Sequence, residues 1–243
     1  MRILKKSWRE WIWEIKLLTI VSNFSVFKEF HIKIFSIFTV QNQKKMNGIV
    51  QNFIAPNLGK VWLITDTHWN HKSIIKYENR PENHGELICE NWKDMVEEKD
   101  VVIHLGDVIF AKQGTLNEIL APLPGRKILI KGNHDRNSAW YLTKGFDEVH
   151  KHYLIICDEI LLSHKPMDIE AIEAELGIKI RYNIHGHFHS KVREISPDSP
   201  PEDTEGRRAE DYAFYSKRHL RLSIEEENYK PVELNDYLKR FEK

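Results

Sequence analysis

The sequence predicts an α/β protein in which two β-sheets pack together with helices beside them. Short apolar runs rich in β-branched residues recur along the chain, a segment with helical periodicity separates the first two runs, and the second half carries further strand-like runs with few helix signals. Alternation of strands and helices is typical of a sheet covered by helices. The strand-rich second half indicates a second sheet packed on the first.

The first set of strands is predicted from four runs that each end at a polar cluster. Runs of valine, isoleucine and leucine of this length are typical of buried strands. They cover residues 61–64, 101–105, 127–130 and 160–162. The strands predicted in the second half cover residues 148–157, 159–163, 179–184, 191–195 and 219–225. Residues 196–206 contain three prolines and no periodicity, which predicts a solvated loop.

The helices are predicted from the spacing of apolar residues. Residues 85–98 carry apolar side chains on one face of a 3.6-residue repeat, which is typical of an amphipathic helix. These side chains are Leu87, Ile88, Trp92, Met95 and Val96. Shorter helices are expected at residues 117–120, 138–143 and 168–176, and the Asp168 carboxylate is suited to cap the last of them.

Composition favours one substantial domain with an appendage. The chain has 243 residues, of which 41% are hydrophobic, enough to bury a single core. The sequence has two cysteines, Cys89 and Cys157, too few for a disulfide framework. We therefore expect a reducing, cytoplasmic setting.

The first 45 residues differ in character from the rest. They are rich in aromatic residues and carry nine Lys or Arg against three Glu, whereas the remainder has a net charge of −6. We expect residues 1–45 to be an N-terminal extension and residues 46–243 to be the main domain. The longest uncharged stretch of the extension, residues 17–27, is shorter than the ~20 residues of a spanning helix, so no transmembrane span is expected.

Two interpretations of the extension stay open. The favoured one is an accessory strand or helix, or a segment upstream of a natural start at Met46. The other is a basic, aromatic segment that lies on a membrane surface or binds a partner protein.

Five polar clusters follow apolar runs in one order along the chain. Backbone at the carboxyl ends of strands is firmly held while the side chains there converge on one edge, so we expect the clusters to form one site. They are Asp66-Thr67-His68, Gly106-Asp107, Gly132-Asn133-His134-Asp135, Ser163-His164 and Gly186-His187-Phe188-His189.

The residue types in these clusters predict a site for two divalent metal ions. Carboxylate and neutral imidazole together suit Mn, Fe, Zn or Ni, with Mn favoured, whereas an all-oxygen site would suit Mg or Ca. His187 and His189 are two residues apart, which places both rings on one face of an extended segment, so each can reach a different ion. A carboxylate between two dications offsets their repulsion, and Asp107 is the candidate.

The ordered motifs DxH, GD, GNHD, a later His and GHxH resemble those of the calcineurin-like metallophosphoesterase superfamily over residues 60–190. Residues 62–72, Asn79-Arg80-Pro81 and the tail segment 223–232 further resemble small phage and bacterial members. The resemblance implies a four-layer αββα sandwich of two mixed sheets flanked by helices. It also implies metal-dependent hydrolysis of phosphoric esters.

The same resemblance implies seven metal ligands and an acid–carboxylate pair. One ion would be held by Asp66, His68 and His189. The other would be held by Asn133, His164 and His187, with Asp107 bridging the two. His134 would face the scissile phosphate as general acid or charge stabiliser, and Asp135 would orient its ring. A water activated between the ions would attack phosphorus in line.

The substrate is predicted less directly than the chemistry. Protein phosphatases of the superfamily carry an Asp-Arg-Gly after the GD motif, but here residues 108–112 lack that Arg, which disfavours a protein substrate. The main domain is acidic and has no long basic stripe, so extensive duplex binding is not expected. We therefore favour a phosphodiesterase for a nucleotide, a cyclic nucleotide or a nucleic-acid end. A small-molecule phosphomonoesterase is the alternative, and a non-catalytic scaffold of the same fold is a third interpretation.

Several other polar residues lie near the clusters in sequence. His71, Arg80 and Lys165 are candidates to contact substrate phosphate, because cationic groups suit anionic oxygens. His104 lies within a predicted strand and is expected to be a hydrogen-bonded core residue. His185 precedes the last motif and is expected to support the ligands.

Overall fold

The computed structural model describes residues 49–51, 59–110, 115–157, 159–190 and 213–242. The predicted extension at residues 1–45, the predicted strand at 191–195 and the predicted loop at 196–206 lie outside the described residues.

The described residues form ten strands and six helices. In chain order the strands are β1 (Ile49–Gln51), β2 (Val61–Ile64), β3 (Val101–His104), β4 (Arg126–Ile130), β5 (Glu148–His150), β6 (Tyr153–Ile156), β7 (Ile160–Ser163), β8 (Tyr182–His185), β9 (His219–Arg221) and β10 (Val232–Glu233). The helices are α1 (Lys72–Tyr77), α2 (His84–Met95), α3 (Thr115–Leu120), α4 (Ser138–Leu142), α5 (Ile169–Leu176) and α6 (Leu234–Lys239).

The strands form two five-stranded mixed sheets. The first has the order β10-β2-β3-β4-β5, in which β10 is antiparallel to β2 and the other pairs are parallel. The second has the order β1-β6-β7-β8-β9, in which the β6–β7 pair is antiparallel and the others are parallel. Because parallel strands end at the same edge, the carboxyl ends of β2, β3 and β4 lie side by side, as do those of β7 and β8.

Alternating side chains of the strands enter different cores, because successive residues of a strand point to opposite faces. The core between the two sheets contains Leu63, Ile103, Ile128, Leu154, Leu162 and Ile184. The opposite face of the first sheet packs on α2 and α3 through Trp62, Ile64, Val102, Ile88, Trp92, Leu116 and Leu120. The opposite face of the second sheet packs on α5 through Ile155, Leu161, Ile169 and Ile172. These contacts produce the layer order helix, sheet, sheet, helix.

The fold class predicted from the sequence is therefore confirmed. The helix predicted at residues 85–98 forms α2, and Asp168 caps α5 by accepting a hydrogen bond from the Ala171 amide at 3.0 Å. That helix ends at Gly177, whose φ of 66° lies in the left-handed region that favours glycine.

Two strand predictions needed correction. The strand predicted at 148–157 is divided into β5 and β6, which belong to different sheets and are separated by the exposed residues Lys151 and His152. The strand predicted at 219–225 ends at Arg221, because the chain beyond it turns back through a hydrogen bond from the Tyr229 amide to the Ile224 carbonyl at 2.9 Å.

Candidate metal centre

The predicted ligands lie in loops that follow five strands. Those in the first sheet follow β2, β3 and β4, and those in the second follow β7 and β8. Backbone hydrogen bonds join the first two loops, from the Asp66 amide to the Gly106 carbonyl at 2.9 Å and from the His68 amide to the Asp107 carbonyl at 3.1 Å. Main-chain hydrogen bonds thus hold these first two ligand loops together.

One group of side chains consists of Asp66, His68 and His189. Each offers an atom within 4.8 Å of the other two. Asp66 Oδ1 lies 3.9 Å from both His68 Nε2 and His189 Nε2. The Asp66 and His68 side chains are almost completely buried, and the His189 side chain is 17% exposed.

A second group consists of Asp107, His164 and His187, whose ligand atoms also lie within 4.8 Å of one another. His164 Nε2 is 3.4 Å from Asp107 Oδ2. The exposed residue Asn133 reaches this group, since its Oδ1 lies 2.9 Å from His164 Nε2. His164 donates its Nδ1 hydrogen to the Leu105 carbonyl at 2.9 Å, which directs Nε2 toward the group.

Asp107 lies between the two groups. Its Oδ2 is 3.8 Å from His68 Nε2 on one side and 3.4 Å from His164 Nε2 on the other. Its Oδ1 accepts a hydrogen bond from the His134 amide at 3.0 Å, which fixes the orientation of the carboxylate. This is the placement that a shared carboxylate requires.

These donors fit divalent cations. Asp66 Oδ1 and both ring nitrogens of His68 are buried with no hydrogen-bond partner among the described residues. A buried polar atom without a partner costs about 1–3 kcal/mol, and an ion bound by Asp66 Oδ1 and one His68 nitrogen would offset that cost. Two donors at ~2.1 Å from one ion lie no more than ~4.2 Å apart, and the 3.9 Å separations around Asp66 Oδ1 satisfy that limit.

The backbone at these positions is held in an uncommon conformation. Asp66, His68, Asp107 and His187 have φ values of 49°, 46°, 56° and 69°, in the left-handed region. Non-glycine residues in this region carry strain and cluster at functional sites. A Cβ on Gly132 would lie 2.0 Å from Asp107 Oδ1, so the glycine allows the main chain to approach that carboxylate.

The surroundings of Asp107 keep its carboxyl group ionised, so it attracts positive charge to the second group. Burial raises the pKa of this carboxyl, but His164, His68 and the His134 amide together hold the pKa well below its ordinary value. Burial lowers the pKa of His164, but Asp107 and other nearby carboxylates raise it to about 9. In the metal-free protein His164 therefore carries a proton on Nε2, and a cation that binds there would replace this proton while Asp107 stays ionised.

His134 stands at the open side of the centre. Its side chain is 43% exposed, and its Nε2 lies 4.0 Å from Asp107 Oδ2. The predicted acid is thus reachable from outside while its backbone is fixed against Asp107.

Asp135 makes a different set of contacts from those expected. Among the described residues, its donors are the Tyr141 hydroxyl at 2.6 Å and three backbone amides, and the His134 ring is not one of them. The amides are those of Asp107, Val108 and Gly132, at 2.8, 3.0 and 2.8 Å. The carboxylate therefore clamps the loop after β3 to the loop after β4.

The expectation that Arg80 contacts substrate is corrected by its burial. Its side chain is 0% exposed. The guanidinium donates to the carbonyls of Asp66 and Thr67 at 2.8 and 3.1 Å, and to Glu225 Oε1 at 2.9 Å from Nε and 2.5 Å from Nη2. Arg80 therefore stabilises the backbone of the loop that contains Asp66 and His68.

Glu225 is a residue that sequence reasoning missed. Its Oε1 lies 3.0 Å from His189 Nδ1, and its Oε2 accepts from the Ser223 hydroxyl at 2.7 Å. The signal was present, since Glu225 follows β9 in the same way that the other clusters follow their strands. It lies outside the five motifs, which is why it was not assigned to the site.

The remaining candidates occupy the rim and the interior. His71 stacks on the exposed Phe110 with ring centres 4.0 Å apart, and Lys165 is half-buried directly after His164. His104 is completely buried and His185 is its counterpart in the second sheet, each with both ring nitrogens hydrogen-bonded. Burial is the main reason that the pKa of each falls to about 3. Both rings are therefore neutral, and the hydrogen-bonded core position predicted for His104 is confirmed.

Two packed sheets flanked by helices, with carboxylate and imidazole groups gathered at the strand ends, define an α/β protein with a candidate divalent-metal centre. Residues 59–191 match the family described as calcineurin-like phosphoesterase, and the chain belongs to that family. It is accordingly a metal-dependent phosphoesterase.

Individual relatives support this assignment. The chain is similar to an uncharacterised protein of Methanocaldococcus jannaschii, at 31% identity over 193 residues that cover 77% of this chain and 94% of the relative. The gene 66 protein of Mycobacterium phage D29 is 27% identical over 173 residues, covering 59% of this chain and 85% of its own. A solved structure of a protein of unknown function from Aquifex aeolicus superposes with a TM-score of 0.54 at 29% identity, covering 74% of this chain and 98% of its own.

Within the part of the chain that the structure describes, no helix combines the length and apolar character needed to cross a membrane.

Proposed function

We propose that the protein is a phosphodiesterase that acts on a nucleotide, a cyclic nucleotide or a nucleic-acid end with the help of two divalent ions. The observation that carries the proposal is the position of Asp107, whose Oδ2 lies 3.8 Å from His68 in one ligand group and 3.4 Å from His164 in the other. When bound, such ions activate water and neutralise charge on the phosphate oxygens.

The chain's own residues divide into holding and proton-transfer roles. One ion would be held by Asp66, His68 and His189, the other by Asn133, His164 and His187, with Asp107 shared. Manganese is the proposed ion because the donors are carboxylate, amide and imidazole groups without a thiolate. His134 would donate a proton to the leaving oxygen, since its ring is exposed beside Asp107 and can reach a bound ester.

Two observations support a diester over a protein phosphomonoester. The residues after Asp107 are Val108-Ile109-Phe110, with no Arg to grip a dianionic phosphate. The Arg80 guanidinium is buried against Glu225, so it does not bind the phosphate in place of the missing Arg. A diester carries one negative charge fewer than a monoester and has less need of an added cation. A small-molecule phosphomonoesterase is the second candidate.

The setting of the enzyme completes the proposal. We assign residues 46–243 to the catalytic domain and residues 1–45 to an accessory N-terminal extension, with contact to a membrane surface or a protein partner as the alternative. The two cysteines of the sequence support a reducing, cytoplasmic location.

The direct test uses purified full-length protein with Mn²⁺. Aryl phosphomonoester and phosphodiester reporters are assayed in parallel with a panel of cyclic nucleotides. We expect turnover of diesters to exceed that of monoesters. Activity on monoesters alone would refute the diesterase assignment and favour the second candidate.

Two variants test the residue roles. His134→Ala is expected to keep its metal and lose about 10²–10⁴-fold in kcat, because a general acid contributes that much. Asp107→Asn is expected to lose metal, because it removes the shared charge. His152→Ala, at an exposed histidine between β5 and β6, is the matched control and should behave as wild type. Full activity in either of the first two variants would overturn its assignment.

A further inference from the structure

Two exposed aromatic side chains flank His71 beside the metal centre. Phe110 is 43% exposed and Tyr77 is 60% exposed. The His71 ring stacks on Phe110 at 4.0 Å with 13° between the ring planes, and Tyr77 meets His71 edge-on at 6.5 Å. We call His71, Tyr77 and Phe110 the aromatic ridge.

The ridge adjoins the groups that would act on the ester. The Phe110 ring centre is 5.1 Å from that of His134 and 5.9 Å from that of His68. A general acid must lie within hydrogen-bond reach of the leaving oxygen. The chemical group attached to that oxygen therefore lies beside Phe110.

The Phe110 ring is not what holds its segment in place. The Phe110 amide donates to the Trp69 carbonyl at 2.9 Å, and Ile109 pairs with Trp69 in a parallel β-bridge. Trp69 and Ile109 are 2% and 6% exposed, so they fill the core below. A ring held by its backbone and left open on the surface is available to a ligand.

We propose that the aromatic ridge stacks on the nucleobase of the leaving nucleoside. This inference rests on the proposed function and narrows its substrates to esters with a nucleoside on the leaving side. Every base has a planar face, so aromatic stacking favours bases without selecting among them. The sugar of a nucleoside separates the base from phosphorus, so a base can reach Phe110, beside His134, while the phosphate lies at the ligands.

Binding of a matched pair of phosphate esters, each with its 5′-oxygen in the leaving position, tests this without requiring turnover. Adenosine 5′-monophosphate and ribose 5-phosphate share the phosphate and sugar and differ in the base. Calorimetry on Mn-loaded full-length protein should show that wild type binds the first at least tenfold more tightly. Phe110→Ala should remove that preference and leave ribose 5-phosphate binding unchanged, whereas Phe110→Trp should retain it.

Phe241→Ala is the matched control, because Phe241 is 41% exposed and lies with Tyr182 at the amino end of β8, away from the metal centre. Equal binding of the two probes by wild type, including no binding of either, would overturn the proposal. Equal losses for both probes in Phe110→Ala would also overturn it, since Phe110 would then act on the metal centre. If the wild-type protein does not turn over diesters but still binds adenosine 5′-monophosphate more tightly than ribose 5-phosphate, only the proposed function would be refuted.

A separate observation concerns Glu225, which lies beyond the family match at residues 59–191. Its carboxylate is 7% exposed and 3.0 Å from His189 Nδ1, while His189 Nε2 faces Asp66 Oδ1 at 3.9 Å. A carboxylate on one ring nitrogen fixes the tautomer and orientation of a histidine whose other nitrogen binds a metal.

The same carboxylate is tied to the first ligand loop. Arg80 links Glu225 Oε1 to the carbonyls of Asp66 and Thr67. Glu225, Glu78 and His189 also form a group with atoms within 4.8 Å of one another, which suggests a further cation site. Two guanidinium bonds to Oε1 argue against that alternative, because they place a fixed positive charge at the carboxylate.

We infer that Glu225 is a positioning residue for the metal site formed by Asp66, His68 and His189, a role that rests on the proposed function. Calorimetric titration of the metal-free full-length protein with Mn²⁺ should show one of two ions bound about 10–100-fold more weakly in Glu225→Gln. Glu225→Asp should recover part of that loss. Glu226→Gln removes an exposed carboxylate that pairs with Arg221 and should leave both ions unaffected.

The variants also separate positioning from folding. Ser223→Ala removes the hydroxyl that donates to Glu225 Oε2 at 2.7 Å and leaves the Arg80 pair intact, so it should fold and weaken the same ion to a smaller extent. Wild-type affinity for both ions in a folded Glu225→Gln protein would overturn the inference. If Glu225→Gln does not fold, wild-type affinity for both ions in Ser223→Ala would overturn the inference instead.

Discussion

Replacement of Asp135 by asparagine distinguishes two tasks for this carboxylate. The family resemblance implies that Asp135 orients the His134 ring, whereas the structure places its carboxylate between two ligand loops. Its Oδ2 accepts from the amides of Asp107 and Gly132, and its Oδ1 accepts from the Val108 amide and the Tyr141 hydroxyl. Burial, and Asp135 itself, raise the pKa of Tyr141 above its ordinary value, so the phenol keeps its hydrogen and donates it.

The magnitude follows from counting donors. An asparagine keeps one acceptor oxygen, and the least costly orientation points its NH₂ toward Tyr141 and Val108, because the phenol can rotate to accept. The Val108 amide, in a residue that is 0% exposed, then loses its acceptor at a cost of about 1–3 kcal/mol. The remaining bonds lose their charge assistance, which adds about 1 kcal/mol. We expect a total loss of about 2–4 kcal/mol in the free energy of unfolding.

Urea denaturation of metal-free and Mn-loaded protein measures this loss, and elemental analysis measures bound metal. Because the clamp joins the loops that carry Asp107 and Asn133, the Asp135→Asn protein should also bind metal more weakly. Tyr141→Phe removes one donor and leaves Oδ1 bonded to Val108, so it should cost only about 1 kcal/mol. Wild-type stability and metal content combined with slow turnover in Asp135→Asn would refute the clamp and favour the His134 role.

Three further outcomes are expected. Asp100 is 2% exposed and accepts hydrogen bonds from the Trp62 ring and two backbone amides. Burial raises the pKa of its carboxyl, but these bonds bring that pKa below the ordinary value. The stabilisation from the ionised carboxylate is therefore present above pH ~4 and is lost as pH falls through the lower, folded-state pKa. Asp100→Asn should therefore cost about 1–3 kcal/mol at pH 7, with a gap in urea denaturation that narrows toward pH 3, and an equal gap at both pH values would contradict this. Gly186→Ala places a Cβ 2.0 Å from Thr65 Oγ1 and 2.5 Å from Asp66 Oδ2, so calorimetry should show Mn²⁺ affinity at least tenfold weaker. A side chain at position 177 meets no atom within 4 Å, so the control Gly177→Asn should bind Mn²⁺ with wild-type affinity. Chelation should abolish turnover and lower Tm, because a ligand at 100 times its Kd stabilises a fold by about 2.7 kcal/mol, and Mn²⁺ should restore both; an unchanged Tm would show that the ions do not bind the folded state preferentially.

Much of the fold was predictable because strand and helix periodicity is a local property. Local apolar patterns correctly predicted the strands at 61–64 and 127–130 and the helix α2. The break between β5 and β6 was not predictable, since both strands are apolar and only the pairing partners reveal that they belong to different sheets. Helix α1 was also missed, because its six residues bury a single apolar side chain, Ile74.

The sequence by itself determined the chemistry of the centre. Two carboxylates, an amide and four imidazoles occur at strand ends, and their types select divalent metals whatever the details of packing. The tertiary structure decided which groups meet. Arg80 and Glu225 are 145 residues apart, and only the folded sheets bring the guanidinium to the carboxylate. Burial and proximity depend on contacts distant in sequence, so these roles could emerge only from the fold.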